Sequence, residues 1–162
     1  QMVNVACGAH AGDAEIAARA LRNALAHGAQ AGAHPSFPDR ENFGRVAMKL
    51  DDSELGATLD EQLRWLRSIA STVGVVLAHV KPHGALYHAA DRDERVAQAL
   101  IDVTRAVLGE VALVGPPGGA MESCARAAGV VARVRRQPVS ASARNATRSV
   151  VTTPTTPARA PA

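Results

Sequence analysis

Three apolar runs in this chain end in polar clusters of similar composition, and that repetition restricts the fold more than any other feature. Val75-Val76-Leu77-Ala78 leads into His79-Val80-Lys81-Pro82-His83-Gly84-Ala85-Leu86-Tyr87, which sets two imidazoles, an ammonium and a phenol within nine residues. Two earlier segments follow the same plan, Asn4-Val5-Ala6-Cys7-Gly8-Ala9-His10-Ala11-Gly12-Asp13 and Gly32-Ala33-His34-Pro35-Ser36-Phe37-Pro38-Asp39. A strand that carries its polar residues at its C-terminal end is the usual arrangement of an α/β active site. Three such ends point to one site.

The intervening sequence supplies the helices. Asp13 can cap a helix over 14–27 whose face is Ile16, Ala17, Ala20, Leu21, Ala24 and Leu25, with Gly28 as its stop. Leu55, Leu59, Leu63, Leu66 and Ile69 form the stripe of a second helix over 53–72. Val96, Leu100, Val103 and Val107 mark a third over 93–108, and a further helix runs from the Gly115-Pro116-Pro117-Gly118-Gly119 turn to Ala128. Strands are expected at 2–6, 29–33, 75–80 and 111–114, with a fifth beginning at Val130-Val131. Strands alternating with helices predict a parallel sheet. A complete β/α barrel needs roughly 200–250 residues, so the first 132 residues read as a partial barrel domain. With 2% aromatic residues, its core must be built from Ala, Val, Leu and Ile.

The charge is divided. Residues 1–132 hold 12 Lys/Arg against 15 Asp/Glu, net −3, whereas residues 133–162 hold 6 Arg and no acid, net +6. The basic balance belongs to the tail and is no nucleic-acid footprint. The tail is Arg, Ala, Ser, Thr and Pro without apolar periodicity, a composition that cannot offset chain entropy, and it reads as disordered. Cys7 and Cys124 are too few for a disulfide framework, which fits a reducing cytoplasm. No apolar run reaches the roughly 18 residues of a membrane helix, and no signal peptide is visible.

Each candidate site residue has a structural alternative. His34, between Gly-Ala and Pro, is either a hydrogen-bonded loop histidine or a ring presented to a ligand. Asp13 is a good N-cap as well as a candidate acid, and with Gly8 and Gly12 near it the helix start could hold an anion. Lys81 is costly to bury unless it meets an anion. His79, Lys81 and His83 alternate, so they can share one face of an extended segment. Arg45 is a bidentate anion clamp or a surface residue, and Tyr87 is packing or rim. Cys7 reads better as a buried small hydrophobe than as a nucleophile. His27 and His88 read as non-functional. His10, His34 and His83 with a carboxylate would make a plausible metal set, but their spacing is not diagnostic, so the metal stays unassigned.

Taken in order, Asn4-x-Ala6-Cys7-Gly8-x-His10-Ala11-Gly12-Asp13, Gly32-Ala33-His34-Pro35-x-x-Pro38-Asp39, Phe43-Gly44-Arg45 and the His79–Tyr87 segment resemble the LamB/YcsF family from about Val3 to about Arg133. That family supplies one of the three subunits, the one designated A, of the prokaryotic ATP-dependent 5-oxoprolinase. The resemblance implies an irregular, TIM-like β/α barrel of the glycoside hydrolase/deacetylase type. It implies hydrolysis of 5-oxoproline to L-glutamate driven by ATP, with Mg²⁺ accompanying the nucleotide, in a complex with the two other subunits, designated B and C. It also implies catalytic roles for His34, Lys81, His83, Asp13 and His10, and substrate or anion binding by Asn4, Gly8, Gly12, Arg45, His79 and Tyr87. No P-loop is present, so ATP chemistry would lie partly on the partner subunits.

Two departures matter. The family's Asn-Cys-Asp-Leu-Gly-Glu segment, whose carboxylates would line the site, has no counterpart here. After residue 133 the expected Phe-Ala-Asp-Arg-x-Tyr is missing, although the codons of Val134 to Ser140, read one base later, permit Phe-Ala-Asp-Ser/Asn-Arg-Tyr. A frameshift would account for the tail. Alternative readings are a metal-dependent carbohydrate deacetylase, by fold analogy, and an inactive truncated relic.

Overall fold

The computed structural model describes residues 1–134. Its elements are β1 (Met2–Ala6), α1 (Ala14–Ala26), β2 (Gln30–His34), α2 (Asp52–Thr72), β3 (His79–Val80), α3 (Gly84–Arg92), α4 (Glu94–Leu108), β4 (Ala112–Gly115), α5 (Ala120–Ala127) and β5 (Ala132–Val134). The five strands form one sheet in the order β1-β2-β3-β4-β5, with every neighbouring pair parallel. This is the expected α/β architecture. The disorder expected over 133–162 falls, from residue 135 onward, outside the described residues, while Arg133 and Val134 belong to β5.

Alternation along each strand divides the sheet into two chemically different faces. Val5, Ala31, Ala33, Val80 and Leu113 are buried under the helices. Against them pack Leu21 and Ala24 of α1, Leu59, Leu63 and Leu66 of α2, Leu100 and Ile101 of α4, and Met121 of α5. The core is mostly aliphatic, as the aromatic scarcity requires, with Phe37 and Tyr87 buried in it as well. The opposite face carries Asn4, Gln30, Gly32, His34, His79, Lys81 and Arg133, with buried Ala112 and Val114 of β4 among them. In a flat sheet β2 and β5 stand three spacings of about 4.8 Å apart. Here Arg133 Nη1 of β5 lies 3.3 Å from Gln30 Oε1 of β2 and 4.0 Å from Met2 Sδ of β1. The sheet is therefore strongly curled, and its polar face is concave.

Several boundaries differ from the sequence reading. The third strand is two residues long instead of six. Val76 is 87% exposed, and the ladder begins only where Ala78 N donates to Ala31 O. Helix α3 was not expected, because Pro82, His83 and Gly84 read as an active-site loop. Ile16 and Leu25, placed on the buried face of α1, are 47% and 57% exposed; the sheet accommodates only the narrower stripe Ala17, Leu21 and Ala24. The fifth strand starts at Ala132, after an exposed Val131.

The second helix is held at its start by a capping box. Asp51 Oδ1 accepts from Glu54 N, and Glu54 Oε2 accepts from Asp51 N, at 2.8 and 2.9 Å. Asp51→Ala is expected to cost about 1 kcal/mol, read as a lowered urea midpoint with unchanged m-value.

Candidate active site

The C-terminal ends of the first three strands bring three imidazoles together. His10 comes from the loop after β1, His34 closes β2, and His83 caps α3 just beyond β3. His10 and His83 are stacked, with centroids 4.0 Å apart and planes 5° from parallel. His34 meets both edge-on, at 5.8 and 4.9 Å. The backbone fixes this arrangement: His83 N donates to Pro35 O, and Lys81 N donates to Ala33 O. Phe43 closes one side, its ring edge-on to His10 and His83. Phe43 has φ +58°, a conformation unusual for a non-glycine residue. That strain aims its carbonyl at His83 Nε2, 2.9 Å away.

Hydrogen bonding fixes the tautomer of His10. Ser36 Oγ gives its single proton to Phe37 O at 2.8 Å. It can therefore only accept from His10 Nδ1, 2.9 Å away. His10 is the Nδ1–H form, and its Nε2 carries a lone pair. Ser36 is itself held by buried Gln62, whose amide accepts from Ser36 N and donates to Ser36 O. Sequence reading missed this support, although Gln62 stands beside Leu59, Leu63 and Leu66 in the buried stripe of α2, where a polar side chain is out of place.

Basic groups surround the imidazoles. Lys81 Nζ lies 5.4 Å from the centre of the Tyr87 ring, and the Arg45 guanidinium carbon 5.6 Å from that of Phe43. Lys81, Tyr87 and Arg45 thus join the three histidines. His79 and Asn4 lie one layer deeper on the concave face. His79 Nε2 is 2.9 Å from Asn4 Oδ1, and the ring crosses β2 over Gly32, which the register places between them. His79 is 1% exposed, and its Nδ1 has no hydrogen-bond partner among the described residues.

This environment opposes positive charge on the imidazoles. Burial first, then His83 and His34, and then Arg40, push the His10 pKa down to about 4. His34 is also lowered to about 4, chiefly by burial and against the favourable bond to the Lys81 carbonyl. His83 is lowered by burial and then by Arg45 and Lys81, against the bond to Phe43 O. The stability consequence has a definite sign. An unfolded imidazole takes a proton near 6.5, while the folded ones resist it down to about 4. The unfolded state therefore binds more protons in that interval, and stability falls as pH drops through it. The urea midpoint should be lower at pH 5 than at pH 7.5, and His34→Gln should flatten that dependence.

Gly8, Gly12 and Asp13 face a neighbouring cleft. They line a cleft of about 530 Å³ with Thr58, Glu61, Gln62 and Trp65, and none of the three clustered histidines is in its wall. Asp13 Oδ1 accepts from Ile16 N at 2.8 Å, so it caps α1. Asp13 thereby takes the Ile16 N–H, one of several free donors at the helix start that was considered for an anion. Cys7 is buried, and burial pushes its thiol up to about 12, so it is a packed thiol and no nucleophile at neutral pH. Among the described residues no set of three His, Cys, Asp or Glu is arranged to hold a metal.

Arg40 is a further residue that sequence reading missed. Its guanidinium forks onto Gly8 O and Gly12 O, at 2.8 and 3.1 Å, and so clamps the loop that carries His10. Arg40→Ala should raise hydrogen exchange of the loop amides by roughly fivefold, as expected for about 1 kcal/mol of lost local hydrogen bonding. It should also raise the proton affinity of His10. Arg40→Lys should restore the electrostatic effect but not the protection.

A model of the LamB/YcsF family matches residues 1–139. The chain belongs to the LamB/YcsF family. The crystal structure of a lactam utilization protein from Thermus thermophilus is 41% identical, with a TM-score of 0.78 over 82% of this chain. The match covers 54% of that protein, so the chain spans about half its length. The curled sheet is accordingly a portion of the TIM-like barrel expected from the sequence. The family match runs beyond the break read at residue 133 and stops at 139. No helix among the described residues is long and apolar enough to cross a membrane.

Proposed function

We propose that this LamB/YcsF chain is the A-type subunit of an ATP-dependent 5-oxoprolinase, which opens the lactam of 5-oxoproline to L-glutamate. The observation that carries the reading is the clustering of three electrically neutral imidazoles with Lys81 and Arg45 at the strand ends. Such a site favours an anion, and 5-oxoproline brings a carboxylate while ATP brings a transferable phosphoryl group. The similarity to a protein named for lactam utilization supports the substrate class.

A lactam is a stabilised amide, so its carbonyl needs activation. Phosphoryl transfer from ATP to the carbonyl oxygen, with ADP leaving, makes the carbon an electrophile. Water attacks it, the carbon–nitrogen bond breaks to leave an acyl phosphate, and a second water hydrolyses that to L-glutamate and inorganic phosphate. His10 suits the base in the first water's attack, because its Nε2 lone pair is kept available by the bond from Nδ1 to Ser36. Lys81 and Arg45 hold the anionic groups, and the ring nitrogen gains a proton as the carbon–nitrogen bond breaks. Mg²⁺ would enter with ATP and neutralise phosphate charge. The 162 residues contain no P-loop, and part of the nucleotide binding is proposed for the two partner subunits. A cytoplasmic location fits the free Cys7 and Cys124 thiols.

A strain deleted for the gene of this chain should lose growth on 5-oxoproline as nitrogen source and regain it with the gene restored. Unimpaired growth of the deletion strain would refute the proposal.

A further inference from the structure

His34 and His83 are linked by a chain of three hydrogen bonds whose protons can be counted. His34 Nδ1 bonds the Lys81 carbonyl oxygen, and a carbonyl only accepts, so that nitrogen carries a hydrogen. His83 Nε2 bonds the Phe43 carbonyl oxygen at 2.9 Å and carries one for the same reason. Between the rings, His83 Nδ1 faces His34 Nε2 at 3.2 Å. That central bond needs a third hydrogen on one nitrogen or the other. Two neutral imidazoles own only two. Fully bonded, the pair therefore holds one proton more than neutral, as an imidazole–imidazolium couple; with two protons, two lone pairs confront each other across 3.2 Å.

The surroundings oppose that third proton. The groups acting on the pair are basic: Lys81 and His79 from the third strand and its end, and Arg45 from the loop after β2. His10, stacked on His83, is held neutral and tolerates charge there, since a neutral π face can receive a cation. Tyr87 of α3 stands on the far side of Lys81. The geometry asks for three protons and the electrostatics for two. An anion in the site would settle the conflict in favour of three, because it offsets the cations and leaves the hydrogen-bond chain complete.

From this geometry we infer that His34 and His83 act as a single one-proton unit, and that an anion enters the site together with that proton. For the identity of its ligand this rests on the site's reading as the place where an anionic lactam binds. The proton bookkeeping stands apart from that reading.

The test has two arms, both on the full chain. In the first, the ¹⁵N signals of the histidine rings are followed against pH, with His34→Gln and His83→Gln used for assignment. The expected result is one shared step in which both rings respond and the two carbonyl-bonded nitrogens stay protonated. Independent titration of the rings would overturn the pairing. In the second, binding of sulfate and of 5-oxoproline near pH 7 is measured by calorimetry in buffers of different ionisation heat. Neither ligand titrates there, so about one proton taken up per ligand is expected, falling toward zero in His83→Gln. Binding of either without proton uptake would overturn the coupling while leaving the lactam reading intact. Uptake with sulfate but no binding of 5-oxoproline would uphold the coupling and refute the substrate. Binding of neither would overturn the anion's role.

Discussion

Gly32→Ala should destabilise this protein by about 2–6 kcal/mol. A Cβ built at Gly32 would lie 2.3 Å from His79 Nε2 and 2.4 Å from both neighbouring ring carbons, far inside contact distance. The imidazole cannot swing aside cheaply, because it is 1% exposed and bonded to Asn4. Overpacking costs about 1–3 kcal/mol, and separating the His79–Asn4 pair adds about 1–3 kcal/mol for buried polar groups left unmatched. Against a total stability of typically 5–15 kcal/mol, the loss would be plain in a urea titration. Removing the obstruction should recover part of it: Gly32→Ala with His79→Ala should be more stable than the sum of the single effects predicts. A Gly32→Ala protein within about 0.5 kcal/mol of the original would mean that His79 does not cross β2 as described.

Under the proposed function, Lys81→Ala should lower ATP-dependent ring opening by roughly a hundredfold to a thousandfold, the scale found when a group stabilising developing charge is removed. The fold should tolerate the change. The contacts through which residue 81 organises the site are made by its backbone, with its carbonyl accepting from His34 and its amide donating to Ala33 O. The substitution removes the ammonium beside Tyr87. Lys81→Arg should retain part of the activity, since it keeps the charge but changes its shape and reach. A Lys81→Ala enzyme with unchanged kcat and KM would remove Lys81 from the reaction.

The strand ends were legible because the chemistry is written beside the fold signal. His34 closes the second strand, and Lys81 and His83 come within five residues of the apolar run 75–78; parallel pairing brings such ends together without further information. Their hydrogen-bond partners were not legible. Ser36, Gln62, Phe43 and Arg40 act through backbone geometry and contacts between residues up to 40 positions apart, which no local pattern encodes. Gly8, Gly12 and Asp13 show the opposite case. Their composition suited an anion site, yet the Asp13 side chain caps its own helix, and the three line the cleft beside Trp65. Helix α3 was hidden by Pro82 and Gly84, which signal a loop, although Gly84 at φ +54° is what lets the chain turn from His83 into the helix. Its absent side chain matters equally, because a Cβ there would sit 2.3 Å from Gly44 O.

The central claim is that the strand-end cluster is where the lactam is opened. The most direct measurement is release of glutamate from 5-oxoproline by this chain combined with its two proposed partner subunits, with and without ATP, alongside Lys81→Ala and His34→Ala. Release that requires ATP and collapses in both variants is the predicted result. No release from the unsubstituted chain, or undiminished release from both variants, would contradict it.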